Sequence, residues 1–167
     1  MRHSNIALFV PHRGCPHQCD FCNQHRITGA QSALTAEDVT TAVETALQSG
    51  KCRPEATEVA FFGGSFTAIP KEVQQQLLEA AYPYVEQGQV SGIRISTRPD
   101  CIDKEILAFL KDYGVTAVEL GAQSMNDRVL AQVHRGHTAE DVANASRLIR
   151  SFGFSLGLQM MTGLLED

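Results

Sequence analysis

Three cysteines stand close together in Cys15-Pro-His-Gln-Cys19-Asp-Phe-Cys22, three and then two residues apart. Thiolates are soft ligands, and this spacing reads as a metal site. No fourth cysteine lies nearby. A closed structural site usually uses four protein ligands, whereas an open site keeps one position for chemistry. Two centres fit the ligand types. One is an iron–sulfur cluster held by Cys15, Cys19 and Cys22. The other is a Cys3His zinc site completed by His25, separated from Cys22 by two residues, with His12 and His17 as further candidates.

The elements around this stretch must position it. Asn5 to Val10 is short, apolar and rich in strand formers, so it predicts a strand feeding the cysteines. A long loop to about Ala33 follows, and a loop of that length in a compact domain is usually functional. Thr35 is the N-cap of a helix with Val39, Val43 and Leu47 on one face, and Asp38 sits where a capping box puts Glu. Thr57 to Phe62 predicts a second strand, running into Gly63-Gly64-Ser65. Pro70 opens a helix at its first position, through Leu77, Leu78, Ala81 and Val85. Ile93 to Ser96 is a third strand, followed by a Thr97-Arg98-Pro99-Asp100 loop. Asp103 caps a helix that Gly114 ends. Val115 to Leu120 is a fourth strand with Gly121 to Ser124 as its exit loop. Asn126 starts a short helix, Thr138 and Asp141 repeat the capping pattern of Thr35, and Phe154 to Met160 is a fifth strand.

Strand, loop and helix recur about every thirty residues, which implies parallel strands with right-handed crossovers. The class is α/β, and the rhythm alone does not choose between a doubly wound sheet and a barrel. In both, active sites sit at the strand C-terminal ends. Every unusual loop in this chain follows a strand, so the cysteines, Gly63-Gly64-Ser65, Thr97-Arg98, Gln123-Ser124 and Gly163 should converge at one end of the sheet.

The cysteine loop after a first strand, with Phe21 just before Cys22, resembles the cluster loop of radical S-adenosylmethionine (SAM) enzymes. Further stretches agree with it. Phe61-Phe-Gly-Gly-Ser-Phe-Thr67, Ser96-Thr-Arg-Pro-Asp100, Glu119-Leu-Gly-Ala-Gln-Ser124 and Arg135-Gly-His-Thr138 are similar to segments of the Elongator catalytic subunit's radical domain and its bacterial relatives, and to oxygen-independent coproporphyrinogen oxidases. The resemblance spans nearly the whole chain. It implies an incomplete (β/α)6 barrel, TIM-like, lacking the last strand and closing helices, with residues 1–167 as one radical SAM core domain from the N-terminal part of a longer enzyme. It implies a [4Fe–4S] cluster on Cys15, Cys19 and Cys22, and SAM contacts from Phe21, Gly63, Gly64, Ser65, Thr97, Gln123, Arg135 and Gln159. The reaction it implies is reductive cleavage of SAM to a 5′-deoxyadenosyl radical that abstracts hydrogen. A tRNA base is its first substrate, a porphyrinogen-like small molecule its second, and flavodoxin or ferredoxin its electron donor. This chain departs from the pattern in having Ser65 for Glu, Ser96 for a more frequent Glu, Gln159 for an acidic residue, and Gly163-Leu-Leu-Glu for Gly-Leu-Pro-Gly.

Composition narrows the class. With 167 residues, 43% hydrophobic and 20% charged, the chain can bury a real core and is not disordered. An odd count of five cysteines, three of them clustered, is no disulfide framework and suits a reducing cytoplasm. No apolar run reaches membrane-spanning length. A net charge of −5 lacks the basic footprint of a nucleic-acid-binding domain. Arg128, Arg135, Arg147 and Arg150 cluster in sequence, and most of them read as a solvated helix face. Cys52 and Cys101 read as ordinary thiols. Glu119 reads equally as a ligand in the site or an exposed strand end.

Overall fold

The structure, a computed structural model, describes residues 3–10, 19–22 and 33–164. Its elements in chain order are β1 (Ser4–Val10), α1 (Ala36–Gln48), β2 (Thr57–Gly63), α2 (Lys71–Glu86), β3 (Gly92–Thr97), α3 (Lys104–Asp112), β4 (Val115–Gln123), α4 (Asp127–Gln132), α5 (Ala139–Ser151) and β5 (Ser155–Met160). The five strands form one parallel sheet in the order β1-β2-β3-β4-β5.

That order decides the architecture. A doubly wound sheet reverses direction at a switch point, so its helices cover both faces. Here each strand pairs with its predecessor throughout, and right-handed crossovers then place the helices on a single face. The alternation of side chains follows from this. Ile6, Leu8 and Val10 of β1, Val59 and Phe61 of β2, Ile93 and Ile95 of β3, and Val118 and Leu120 of β4 share one core with Val39, Val43, Leu77, Leu78, Leu107, Leu110 and Ile149 from the helices. The intervening positions point to the other face, the inside of an open barrel. Among the described residues the sheet does not close, so the fold is the partial barrel that the resemblance implies.

The inner face is polar. Glu58 of β2, Arg94 of β3 and Glu119 of β4 form a ladder: Arg94 donates to Glu58 at 2.7 Å and to Glu119 at 3.1 Å. Gln159 of β5 continues it by donating to Glu119 at 2.8 Å and to Ser96 at 3.1 Å. A register shift at Ile93/Arg94 inserts Thr116 into β4, and its hydroxyl reaches Glu58 at 2.9 Å. Burial pushes the Glu58 carboxyl up, but Arg94, Thr116 and His3 more than offset this and hold it below the usual glutamate value. Glu119 is therefore a half-buried interior residue rather than an exposed strand end.

Local signals set most boundaries. Thr35 and Thr138 cap α1 and α5 with full capping boxes to Asp38 and Asp141. In each box two hydrogen bonds from threonine to the carboxylate hold it below the usual aspartate range. Asp103 caps α3. Several strand ends shift by one residue from the sequence expectation, and two differences matter more. Pro70 takes the N-cap position of α2 rather than its first turn. β4 runs on to Gln123, so Gly121, Ala122 and Gln123 belong to the strand instead of an exit loop. Glycine in a strand often marks a bulge, and the register with β5 shifts between Leu120 and Gln123 before pairing resumes at Gln123 with Met160.

Candidate functional site

One cleft opens at the C-terminal ends of the strands. Cys19, Phe21 and Cys22 form one wall. Gly63, Gly64 and Ser65 arrive from β2, Ser96, Thr97 and Arg98 from β3, Gly121 and Gln123 from β4, and Gln159 from β5, while Arg135 follows α4. Its cavity volume is ≈ 110 Å³. All the described residues expected to bind cofactor or metal line this one cleft. Cys15 lies outside the described residues, as do His12, His17 and His25. With Cys15 outside them, no group of three metal-ligating side chains forms among the described residues. Cys52 and Cys101 do not line the cleft, and the Cys52 thiol donates to the Ala46 carbonyl at 3.3 Å.

The glycine turn is dictated sterically. Gly63 has φ +108°, and a Cβ there would lie 2.4 Å from the Phe9 ring. The Gly64 N–H donates to the Val10 carbonyl at 3.0 Å, tying this turn to the strand that feeds the cysteines. Ser65, which replaces Glu, has its hydroxyl engaged within the protein. The Thr67 hydroxyl donates to the Cys101 carbonyl at 2.6 Å, so Thr97 must donate to Thr67, and Ser65 to Thr97 at 2.9 Å. The Arg98 N–H donates back to Ser65 at 3.3 Å. This one-way chain locks the β2 and β3 exits together and leaves neither Ser65 nor Thr97 a free donor.

Two arginines line the cleft. Arg98 is 2% exposed and grips Asp100 with a fork of 2.8 and 3.0 Å, while its Nη2 also donates to the Arg135 carbonyl at 2.8 Å. Arg135 is 8% exposed. Its Nη2 donates to the Gly121 carbonyl at 2.6 Å and its Nη1 to the Cys19 sulfur at 3.4 Å. Its Nε is buried with no hydrogen-bond partner. Arg128, Arg147 and Arg150 are exposed, so the solvated-face reading holds for them and not for Arg135. His137, below Arg135, donates from Nε2 to the Ala122 carbonyl at 3.1 Å. Burial, then the Arg135 charge, hold it below the usual histidine value, so it stays neutral.

The Gln159 amide is oriented by its partners. Glu119 only accepts, so Gln159 must turn its NH2 toward Glu119 and Ser96 and present Oε1 as its remaining group. Gln123 sits at φ 68° at the end of β4, and its carbonyl accepts from Met161 at 2.9 Å. A non-glycine residue in that region is strained, and such strain concentrates at functional sites. The sequence alone did not identify Gly121 as a site residue or reveal the Glu119–Gln159 pair.

The donor chemistry fits a cluster carrying net negative charge. Two thiols stand on one wall, and a buried guanidinium without a carboxylate partner among the described residues faces them. The family model of the radical SAM superfamily matches residues 9–167. The chain belongs to the radical SAM superfamily. The cofactors of that family are a [4Fe–4S] cluster and SAM. The tRNA uridine(34) acetyltransferase of Dehalococcoides mccartyi (strain CBDB1) is 24% identical over 95% of this chain and 41% of its own length. Elongator complex protein 3 of Homo sapiens is 30% identical over 66% of this chain and 23% of its own. Among solved structures, the archaeal Methanocaldococcus infernus Elp3 superposes over 100% of this chain and 40% of that one, with a TM-score of 0.69 at 20% identity. The radical SAM chain thus spans about two fifths or less of these relatives. Among the described residues no helix is long and apolar enough to cross a membrane.

Proposed function

We propose that this chain carries the SAM-cleaving centre of a radical enzyme that modifies a tRNA base. The observation that carries the reading is the single cleft where Cys19, Cys22, the Gly63-Gly64 turn, Gln123, Arg135 and Gln159 meet. Cys15, Cys19 and Cys22 would hold the cluster. When bound and reduced, the cluster supplies the electron that cleaves SAM to methionine and a 5′-deoxyadenosyl radical, which takes a hydrogen atom from substrate.

The chain's own residues bind and orient. Gly63 and Gly64 bring backbone groups close enough to hold the methionyl amino group, and no carboxylate at position 65 assists them. Arg135, with Nε still unpaired, would hold the cofactor carboxylate by a charge-assisted bond. Gln159 Oε1 and Gln123 would accept from the ribose hydroxyls, and Phe21 would cover the adenosyl side. Neutral His137 beneath Arg135 adds no competing charge.

The tRNA part of the reading is supported by the names of the relatives, and an electron donor of flavodoxin or ferredoxin type goes with it, as does a cytoplasmic location. The test is anaerobic turnover of the reconstituted protein with deuterated tRNA. Deuterium should appear in 5′-deoxyadenosine, and its formation should accelerate with tRNA. Formation that is indifferent to RNA, with deuterium drawn only from a porphyrinogen, would refute the tRNA assignment.

A further inference from the structure

We propose that Arg135 sets the reduction potential of the cluster through its guanidinium contact with Cys19, an inference that rests on the radical SAM reading above. The contact is direct: Nη1 donates to the Cys19 sulfur at 3.4 Å, and both residues are buried. A buried guanidinium is normally matched by a carboxylate, because an uncompensated charge in a low-dielectric site is costly. Among the described residues no carboxylate pairs with Arg135. Its Nη2 and Nη1 meet a carbonyl and a sulfur, and its Nε is buried with no hydrogen-bond partner. The negative charge it lacks is the charge that a cluster thiolate brings.

The fold holds this distance from both sides. On the arginine side, the Arg135 N–H donates to the Leu130 carbonyl at 2.9 Å, and its carbonyl is gripped by Arg98, itself forked to Asp100. Gly121 permits the approach, since a Cβ there would lie 2.8 Å from the Arg135 Nη2. On the cysteine side, Asp20 next to Cys19 donates its N–H to the Val133 carbonyl at 3.3 Å and pairs its carboxylate with His134 at 3.0 Å. His134 adopts φ 52° to make this turn. Residues 133–135 thus clasp the cluster loop and set one cation on one thiolate.

Hydrogen bonds to cluster sulfurs and nearby charge are levers on potential. A positive N–H donor stabilises the reduced cluster, which carries one more negative charge, so Arg135 raises the potential and eases reduction. A residue that touches only the SAM carboxylate would leave a SAM-free cluster unaffected. That difference supplies the experiment.

The reconstituted full chain is titrated anaerobically without SAM, followed by electron paramagnetic resonance, in wild type and in Arg135→Lys, Arg135→Gln and Arg135→Met. Arg147→Gln, on the exposed face of α5, serves as the control. The expected order of potential is wild type, then Lys, then Gln and Met. The Met variant should show at least a tenfold higher ratio of oxidised to reduced cluster at fixed potential, which is about 59 mV for a one-electron couple. Equal potentials in all variants would overturn the inference while leaving the radical SAM reading intact. Loss of the cluster from all three Arg135 variants, with unchanged circular dichroism, would make Arg135 an assembly residue and would equally overturn it. A wild-type protein that binds no cluster would overturn the reading and the inference together.

Discussion

Arg94 shows how the interior is held. It lies between two carboxylates, Glu58 and Glu119, on the inner face of the sheet, and all three are largely buried. Replacing Arg94 with Met leaves both carboxylates without their cation, which should destabilise the fold by on the order of 3 kcal/mol at neutral pH. The pH dependence has a definite sign. Glu58 is held below its ordinary value of 4.5, so its contribution is complete above that value and fades as pH falls through the lowered one. Arg94→Met removes the main counterweight to burial, so the gap between wild type and variant should narrow as pH drops toward the ordinary glutamate range. Urea unfolding at several pH values measures this, and a gap independent of pH would show that Arg94 acts by packing alone. Neither this ladder nor the contact of Arg135 with Cys19 was legible in the sequence. The partners are 25 to 116 residues apart, and nothing local in the chain records which positions the sheet brings face to face.

The elements were far more legible, because their determinants are local. Thr35 and Thr138 announce their helices by hydrogen bonds spanning three residues, and both boxes are formed. The strands were found from apolar runs that a parallel sheet buries. Errors fell where tertiary pairing overrides local preference, as at the end of β4, whereas α2 continues through Pro83 as its apolar face, running to Val85, announced. Proline removes one helical hydrogen bond, yet the helix is anchored by Leu77, Leu78 and Ala81 in the core. The caps also matter for the site. Thr138 starts α5 immediately after the Arg135–His137 turn, and the adjacent Ala139 N–H donates to Asp127 at 2.7 Å. Thr138→Ala should cost about 1 kcal/mol of stability. Hydrogen exchange should rise first at residues 138–141 and in the turn before them. Protection there that stays at the wild-type level would mean the turn is held by Arg98 alone.

At the scale of the molecule, the family and the open barrel were implied by the resemblance that the cysteine loop and its companion motifs carry, while the strand–helix rhythm alone left barrel and doubly wound sheet open, and the strand order agrees with the barrel. The open sheet has a physical consequence. β5 pairs only with β4 among the described strands, and its Leu158 and Met160 are 47% and 50% exposed. An apolar parallel edge invites association. These 167 residues alone should therefore form concentration-dependent oligomers in light scattering, and Leu158→Lys combined with Met160→Lys should shift them toward monomer. A monodisperse wild-type monomer at high concentration would contradict this account of the edge.

The central claim is that three thiolates hold a cluster whose remaining iron is left for SAM. It is tested most directly by anaerobic reconstitution of Cys15→Ala, Cys19→Ala, Cys22→Ala, His25→Ala, Cys52→Ala and Cys101→Ala, with iron and sulfide analysis and a dithionite-driven assay for 5′-deoxyadenosine. Each of the first three should lose the stable cluster and all 5′-deoxyadenosine formation. The other three should match wild type. Metal loss in His25→Ala equal to that of a cysteine variant would point to a closed Cys3His zinc site. That result, or wild-type protein that holds iron but yields no 5′-deoxyadenosine, would contradict the radical assignment.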